Sequence, residues 1–148
     1  MKTEMNQRRQ NTLDSIETAF FQLIQNKTLK EISVSELCKA AEINRSTFYE
    51  NYDDLNALAS VWCRKIENRT AEQLHPDGDY VWLFKYVLTN RDMFTAYFKL
   101  AMPPEAEDYQ SAFRRRGIYA VVKTWLENGC QETAEHMSQL LQRLIHKI

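Results

Sequence analysis

Apolar residues recur at three- and four-residue spacing along most of the chain, the signature of helices with one buried face. Leu13, Ile16, Phe20, Leu23 and Ile24 predict a first helix that ends near Gln25, where Asn26, Lys27 and Thr28 break the pattern. Ser33 and Glu36 match a capping box, in which the hydroxyl accepts from the Glu36 N–H and the carboxylate reaches back. That opens a short helix with Val34, Leu37, Cys38 and Ala41 inward. It runs only to about Ala40, because Asn44 is a second start signal. The next helix, Arg45 to about Asn51, buries Phe48 and Tyr52, and Asp53–Asp54 opens a longer one carrying Leu55, Leu58, Trp62 and Ile66.

His75, Pro76, Asp77, Gly78 and Asp79 form the strongest breaker and mark a domain boundary. Beyond it, Tyr80–Leu88 and Arg91–Leu100 read as short aromatic-rich helices. Met102–Pro103–Pro104 precedes a long helix, about Glu105 to Glu127, which Asn128–Gly129 ends because Gly supplies the left-handed position. Thr133 caps a last helix in which Met137, Leu140, Leu141, Leu144, Ile145 and Ile148 follow the rhythm of a helix seam. The pattern predicts residues 1–52 as an N-terminal three-helix unit, 53–74 as a connecting helix and 75–148 as a small helical C-terminal domain.

Composition agrees with an all-α fold. Three glycines and three prolines in 148 residues fall well below the average of about 7% and 5%, too few for the turns of a sandwich or barrel. Charge excludes less. Nineteen basic and twenty acidic residues give a net charge of −1, so no strong global positive field draws the protein onto a polyanion. The first 69 residues carry ten of each sign. No apolar run is long enough to span a membrane, and Met1 to Asn11 is polar and reads as no signal peptide, so a cytoplasmic protein is expected. Cys38, Cys63 and Cys130 are scattered and odd in number, which fits reduced core thiols. The histidines are not grouped as zinc ligands, and no metal or cofactor is expected. Neither a phosphate-binding loop nor a nucleophile elbow occurs, so no catalytic residues are assigned and the chain does not read as an enzyme.

Residues 33–52 carry the informative arrangement. Two short capped helices joined by Ala41–Glu42–Ile43–Asn44 have helix-turn-helix spacing, whose second helix can enter a major groove about 12 Å wide. Arg45, Ser46, Thr47 and Tyr49 face outward at the start of that helix. The guanidinium can pair with guanine or phosphate, while the hydroxyls and free N–H groups suit phosphate oxygens.

The stretch Thr12–Leu58 closely resembles the N-terminal DNA-binding domain of TetR/AcrR-type transcriptional regulators. Ala19–Phe21, Ile32–Cys38 and above all Ile43–Tyr52, with its Thr47–Phe48–Tyr49 core, carry the likeness, and Asn44–Tyr52 corresponds to the recognition helix. The resemblance implies phosphate contacts at Ser33 and Ser35. It also implies recognition contacts at Arg45, Ser46, Thr47 and Tyr49, with Asn51 near the DNA backbone and Arg8 and Arg9 reaching beside the main contact. Two positions depart from the family pattern. Glu42 stands where a glycine is common, which a glutamate tolerates where the backbone is not left-handed, and Leu55 stands where a phosphate-binding lysine is common.

One helix-turn-helix reads too few base pairs for useful specificity, so a homodimer on a palindromic double-stranded operator is expected. The seam of the last helix and the end of the long helix offer the interface: Val122, Trp125, Met137, Leu140, Leu141, Leu144, Ile145 and Ile148. The resemblance points the same way, since family members dimerise through their last two helices. Phe84, Phe94, Tyr97, Phe98 and Phe113 are the candidate pocket for a small-molecule effector, although helical spacing fits core packing equally. Gly117, inside the long helix, suggests close approach of a partner helix. The expected function is a repressor. The alternative is a helical interaction module, or coactivator, that answers to a protein partner with reduced DNA binding.

Overall fold

A computed structural model of the chain describes residues 2–75, 77–100 and 102–146. Those residues form eight α-helices, one 3-10 turn and no strand, so the fold is all-α. The order is α1 (Lys2–Asn26), the 3-10 turn (Leu29–Glu31), α2 (Val34–Ala41), α3 (Arg45–Asn51), α4 (Leu55–Ala71), α5 (Val81–Thr89), α6 (Arg91–Lys99), α7 (Tyr109–Glu127) and α8 (Ala134–His146). Two compact units divide inside α4, Met1–Trp62 and Cys63–Ile148.

In the first unit α1 packs on α2 and α2 on α3. Ile16, Ala19, Phe20 and Ile24 supply the buried stripe of α1, and Leu37, Cys38 and Ala41 supply that of α2. Phe20 meets Trp62 edge-on at 5.7 Å while Phe21 stacks on the same indole at 6.0 Å. Asp54 caps α4 by accepting from the Ala57 N–H at 2.8 Å. The capping box does not form where the sequence places it. Ser33 accepts from the Glu36 N–H at 3.1 Å, but the Glu36 carboxylate is taken by Lys27. The reciprocal box forms instead at Thr28, whose N–H donates to Glu31 at 2.9 Å and so fixes the 3-10 turn.

In the second unit α5 packs on α8, and contacts run from α5 to α6, α6 to α7 and α7 to α8. Phe84 and Trp125 meet edge-on at 5.1 Å in the core. Trp125 also donates its indole N–H to the Glu132 carbonyl at 3.2 Å, tying the end of α7 to the turn before α8. That turn takes two left-handed residues, Gly129 and Cys130. The long helix starts later than its sequence pattern suggests. Asp108 caps it by accepting from the Ser111 N–H at 2.9 Å, a bond that holds the Asp108 carboxyl below its ordinary range. Ser138 is the one buried polar side chain among the described residues. It accepts from the Tyr80 N–H at 2.9 Å and donates to Asp79 at 3.2 Å, fastening the turn before α5 to α8. Nothing lies within 4 Å of a Cβ built on Gly117, so packing within the chain does not require glycine there.

Candidate nucleic-acid interface

Helix α3 is anchored by one aromatic and exposed on the other side. Phe48 is fully buried, and its ring meets Tyr49 at 5.3 Å and Tyr52 at 5.7 Å. With Phe48 inward, Arg45, Ser46, Tyr49 and Glu50 are exposed and Thr47 is half-buried. Tyr49 keeps 48% of its surface exposed even while its ring touches Phe48. The exposed face thus combines a guanidinium, a hydroxyl and a phenol at the helix N-terminus, where the leading N–H groups favour anions. Asn44 is the N-cap residue, yet its side chain makes no capping bond.

The turn before α3 is tighter than expected. Glu42 lies in the left-handed region, φ 57° and ψ 42°, and its N–H donates to carbonyls of the last turn of α2. The condition under which a glutamate is tolerated at this position, a backbone that is not left-handed, is therefore not met. This backbone needs the conformation glycine adopts without cost, and a non-glycine residue there carries strain of about 1–2 kcal/mol.

Ser33 and Ser35 are both exposed at the start of α2. Since Ser33 uses an oxygen lone pair on the Glu36 N–H, its hydroxyl hydrogen is left to donate outward. Arg8 and Arg9 are exposed on α1. Asn51 folds back on its own helix and donates to the Thr47 carbonyl at 2.9 Å, which turns one amide proton away from any partner. Cys38 is buried behind α3, and burial pushes its thiol up, away from the thiolate form that redox chemistry needs.

The C-terminal candidates separate into two groups. Val122, Trp125, Met137 and Leu141 lie in the core of their own unit, so as a surface for a second copy they are corrected: their apolar faces are spent within the chain. Leu140 and Ile145 are half-buried, Leu144 is 42% exposed, and Ile148 lies outside the described residues. Seam spacing cannot tell an inward face from an outward one on a helix that packs on one side only.

The aromatic pocket also changes membership. A cavity of about 500 Å³ in the second unit is lined by Phe94, Tyr97 and Phe98, but not by Phe84 or Phe113. Phe84 is consumed against Trp125, while Phe113 points into solvent. Arg64, Glu67 and Tyr119, which sequence reasoning missed, line it too. Arg64 and Glu67 sit on α4, before the breaker that defined the C-terminal domain in sequence, so no local signal linked them to it. Tyr97 donates to Glu67 at 2.7 Å, and burial together with that bond pushes its hydroxyl pKa far up. No described helix is long and apolar enough to cross a membrane, and no group of metal-ligating side chains occurs among the described residues.

Comparison with known proteins bears on the class. Residues 91–147 match the family TetR_C_8, a transcriptional regulator C-terminal region. A solved structure, the dihydroxyacetone kinase operon activator DhaS, shares the fold with a TM-score of 0.54 at 22% identity, over 92% of this chain and 94% of that one. No curated protein matches the chain. Residues 91–147 thus resemble the C-terminal region of a transcriptional regulator, and the structural neighbour shares the fold. The matched model is one of the TetR type, the family that residues 12–58 also resemble.

Proposed function

We propose that the chain is a homodimeric, cytoplasmic, sequence-specific DNA-binding regulator, acting as a repressor at a palindromic operator, with no enzymatic role. The observation that carries this reading is the exposed donor face of α3, Arg45, Ser46 and Tyr49, held rigid by the buried Phe48 beneath it. Arg45 reads a base or phosphate, and Ser46, Thr47 and Tyr49 supply hydroxyls. Ser33 and Ser35 contact the phosphate backbone, Arg8 and Arg9 add contacts beside it, and Asn51 stands near it. Residues 1–52 form the reading head in this assignment, and residues 75–148 carry dimerisation. The dimer places two recognition helices about 34–36 Å apart, or a multiple of that, through a surface that includes Leu140, Leu144 and Ile145 of α8.

A mobility shift with the DNA upstream of the protein's own gene tests the reading. Retardation that is sequence-specific and weakens steeply with salt supports it. Absence of retardation at low salt, with the protein folded and dimeric, overturns it.

One observation favours a second reading, a module or coactivator that answers to a protein partner. The first 69 residues have no net positive charge, and the exposed Glu42 adds a carboxylate at the turn before α3. The structural neighbour DhaS is an operon activator, which makes activation the outcome to compare with repression. Transcription of a reporter behind the bound operator, measured with and without the protein, separates the two signs.

A further inference from the structure

The cavity of the second unit has a division of chemistry that selects a ligand. Its body is apolar: Leu83, Phe94, Phe98, Ile118 and Val122 line it, and all but the half-buried Ile118 are buried. A volume of about 500 Å³ falls within the range of roughly 300–1,000 Å³ typical of small-molecule sites.

The polar groups are unevenly committed. Glu67 already accepts from Tyr97 at 2.7 Å and pairs with Arg64, so its carboxylate is matched by donors on both sides. An incoming cation would have to displace one of them. Glu105 and Glu107 also line the cavity, but both are exposed to solvent at its mouth. Two arginines are engaged differently. Arg64 donates to the Pro103 carbonyl at 3.4 Å, and Arg115 donates to the Glu105 carbonyl at 2.9 Å. Both acceptors are neutral carbonyls on the irregular segment between α6 and α7 that runs along the cavity, and Arg64 reaches its carbonyl through the nitrogen it does not give to Glu67. Arg114 lines the same rim.

A carboxylate adds an opposite charge and two oxygens that a guanidinium can meet in parallel, neither of which a single backbone carbonyl offers. We propose that this cavity binds an amphipathic carboxylate, its hydrocarbon body among Phe94, Phe98 and Ile118 and its head group on Arg115, with Arg64 as the second donor. The head group takes over the bonds that now hold Pro103 and Glu105, so occupancy frees the segment 102–108 from two of its tethers. The proposal stands on the cavity and not on the DNA reading.

Calorimetric titration of the full chain with decanoate, decanol and decyltrimethylammonium, each below its micelle concentration, tests it. Decanoate is expected to bind one per chain, about tenfold tighter than decanol, the equivalent of about 1.4 kcal/mol for the added ion pair. The cation is expected to show no saturable binding. Arg115→Gln should bring decanoate most of the way down to the affinity of decanol, Arg64 remaining as a donor, and leave decanol unchanged. Ile118→Trp, which fills the cavity, should abolish decanoate binding at unchanged helix content; Ala106→Trp is the second filling variant if the first loses helix. Overturning results are equal or tighter binding of the cation, no saturable binding of decanoate, more than one decanoate per chain, or binding that survives the filled cavity. No readout involves DNA, so failure here and failure of operator binding are separately visible.

Discussion

Lys27, just past the end of α1, holds the carboxylate of Glu36 in the first turn of α2, so the acid that should close the Ser33 cap instead ties two helices together. The ion pair joins the end of α1 to α2, the helix that precedes α3. Its hydrogen bond is the main reason the Glu36 carboxyl sits below its ordinary value. A depressed carboxyl pKa contributes stability that is present above the unfolded value and lost as pH falls through the folded one. Lys27→Met is expected to return the Glu36 titration, followed by NMR, toward an ordinary glutamate. It should also weaken the acid-side stability of the first unit, and added salt should mask the difference because the pair is partly exposed.

Glu42 supplies a second test. Its left-handed backbone predicts that Glu42→Gly raises stability by about 1 kcal/mol, the strain released, in thermal or denaturant unfolding. Glu42→Gln keeps the strain and removes only the charge. Both variants should bind non-specific DNA more tightly at low salt, and only the glycine should raise the melting temperature. Equal stability of the two would show that the turn is not strained.

Arg45 and Phe48 occupy neighbouring turns of α3 with opposite consequences. Arg45→Ala should cost about 1–3 kcal/mol of operator affinity and leave folding unchanged, because the side chain is exposed. Equal loss on every DNA sequence would reassign it from base to phosphate contact. Phe48→Ala should cost about 3–5 kcal/mol of stability, since the ring is fully buried, and lose DNA binding only as a result of unfolding. Circular dichroism beside the mobility shift distinguishes the two.

Ser138 gives a prediction confined to the second unit. Ser138→Ala leaves the half-buried Tyr80 N–H without its acceptor, which should cost about 1 kcal/mol, the low end for an unsatisfied donor. Hydrogen exchange at Tyr80 and Val81 should accelerate before the rest of α5.

The helices were legible because each carries its own period and its own punctuation: Ser33, Asp54, Thr133 and Gly129 all act at helix ends as their chemistry implies. The exposed side of α3 was legible for the same local reason, since Phe48 inward sets Ser46 and Glu50, two positions to either side, on the opposite face of a seven-residue helix. What escaped depends on partners distant in sequence. Glu36 chose Lys27 over Ser33. Arg64 and Glu67 joined a cavity with residues 30 or more positions away. No periodicity encodes such choices. The left-handed Glu42 escaped for another reason: residue type predicts a conformation only where the rule is obeyed, and here it is broken.

Leu141 and Leu144 lie nearly one turn apart on α8, yet Leu141 is 2% exposed and Leu144 42%. Substituting a charge at each therefore asks two different questions. Leu141→Glu buries an unpaired carboxylate in the core of the unit and should unfold it. Leu144→Glu places the same charge on the surface, where the monomer tolerates it. If α8 forms the dimer surface, Leu144→Glu sediments as a folded monomer with unchanged helix content and loses operator binding, because two half-sites are then no longer read together. A Leu144→Glu protein that still sediments as a dimer and binds the operator with unchanged affinity excludes Leu144 from the interface. The second copy must then use another exposed face, for which Tyr109 and Phe113 of α7, 96% and 59% exposed, are the next positions to charge.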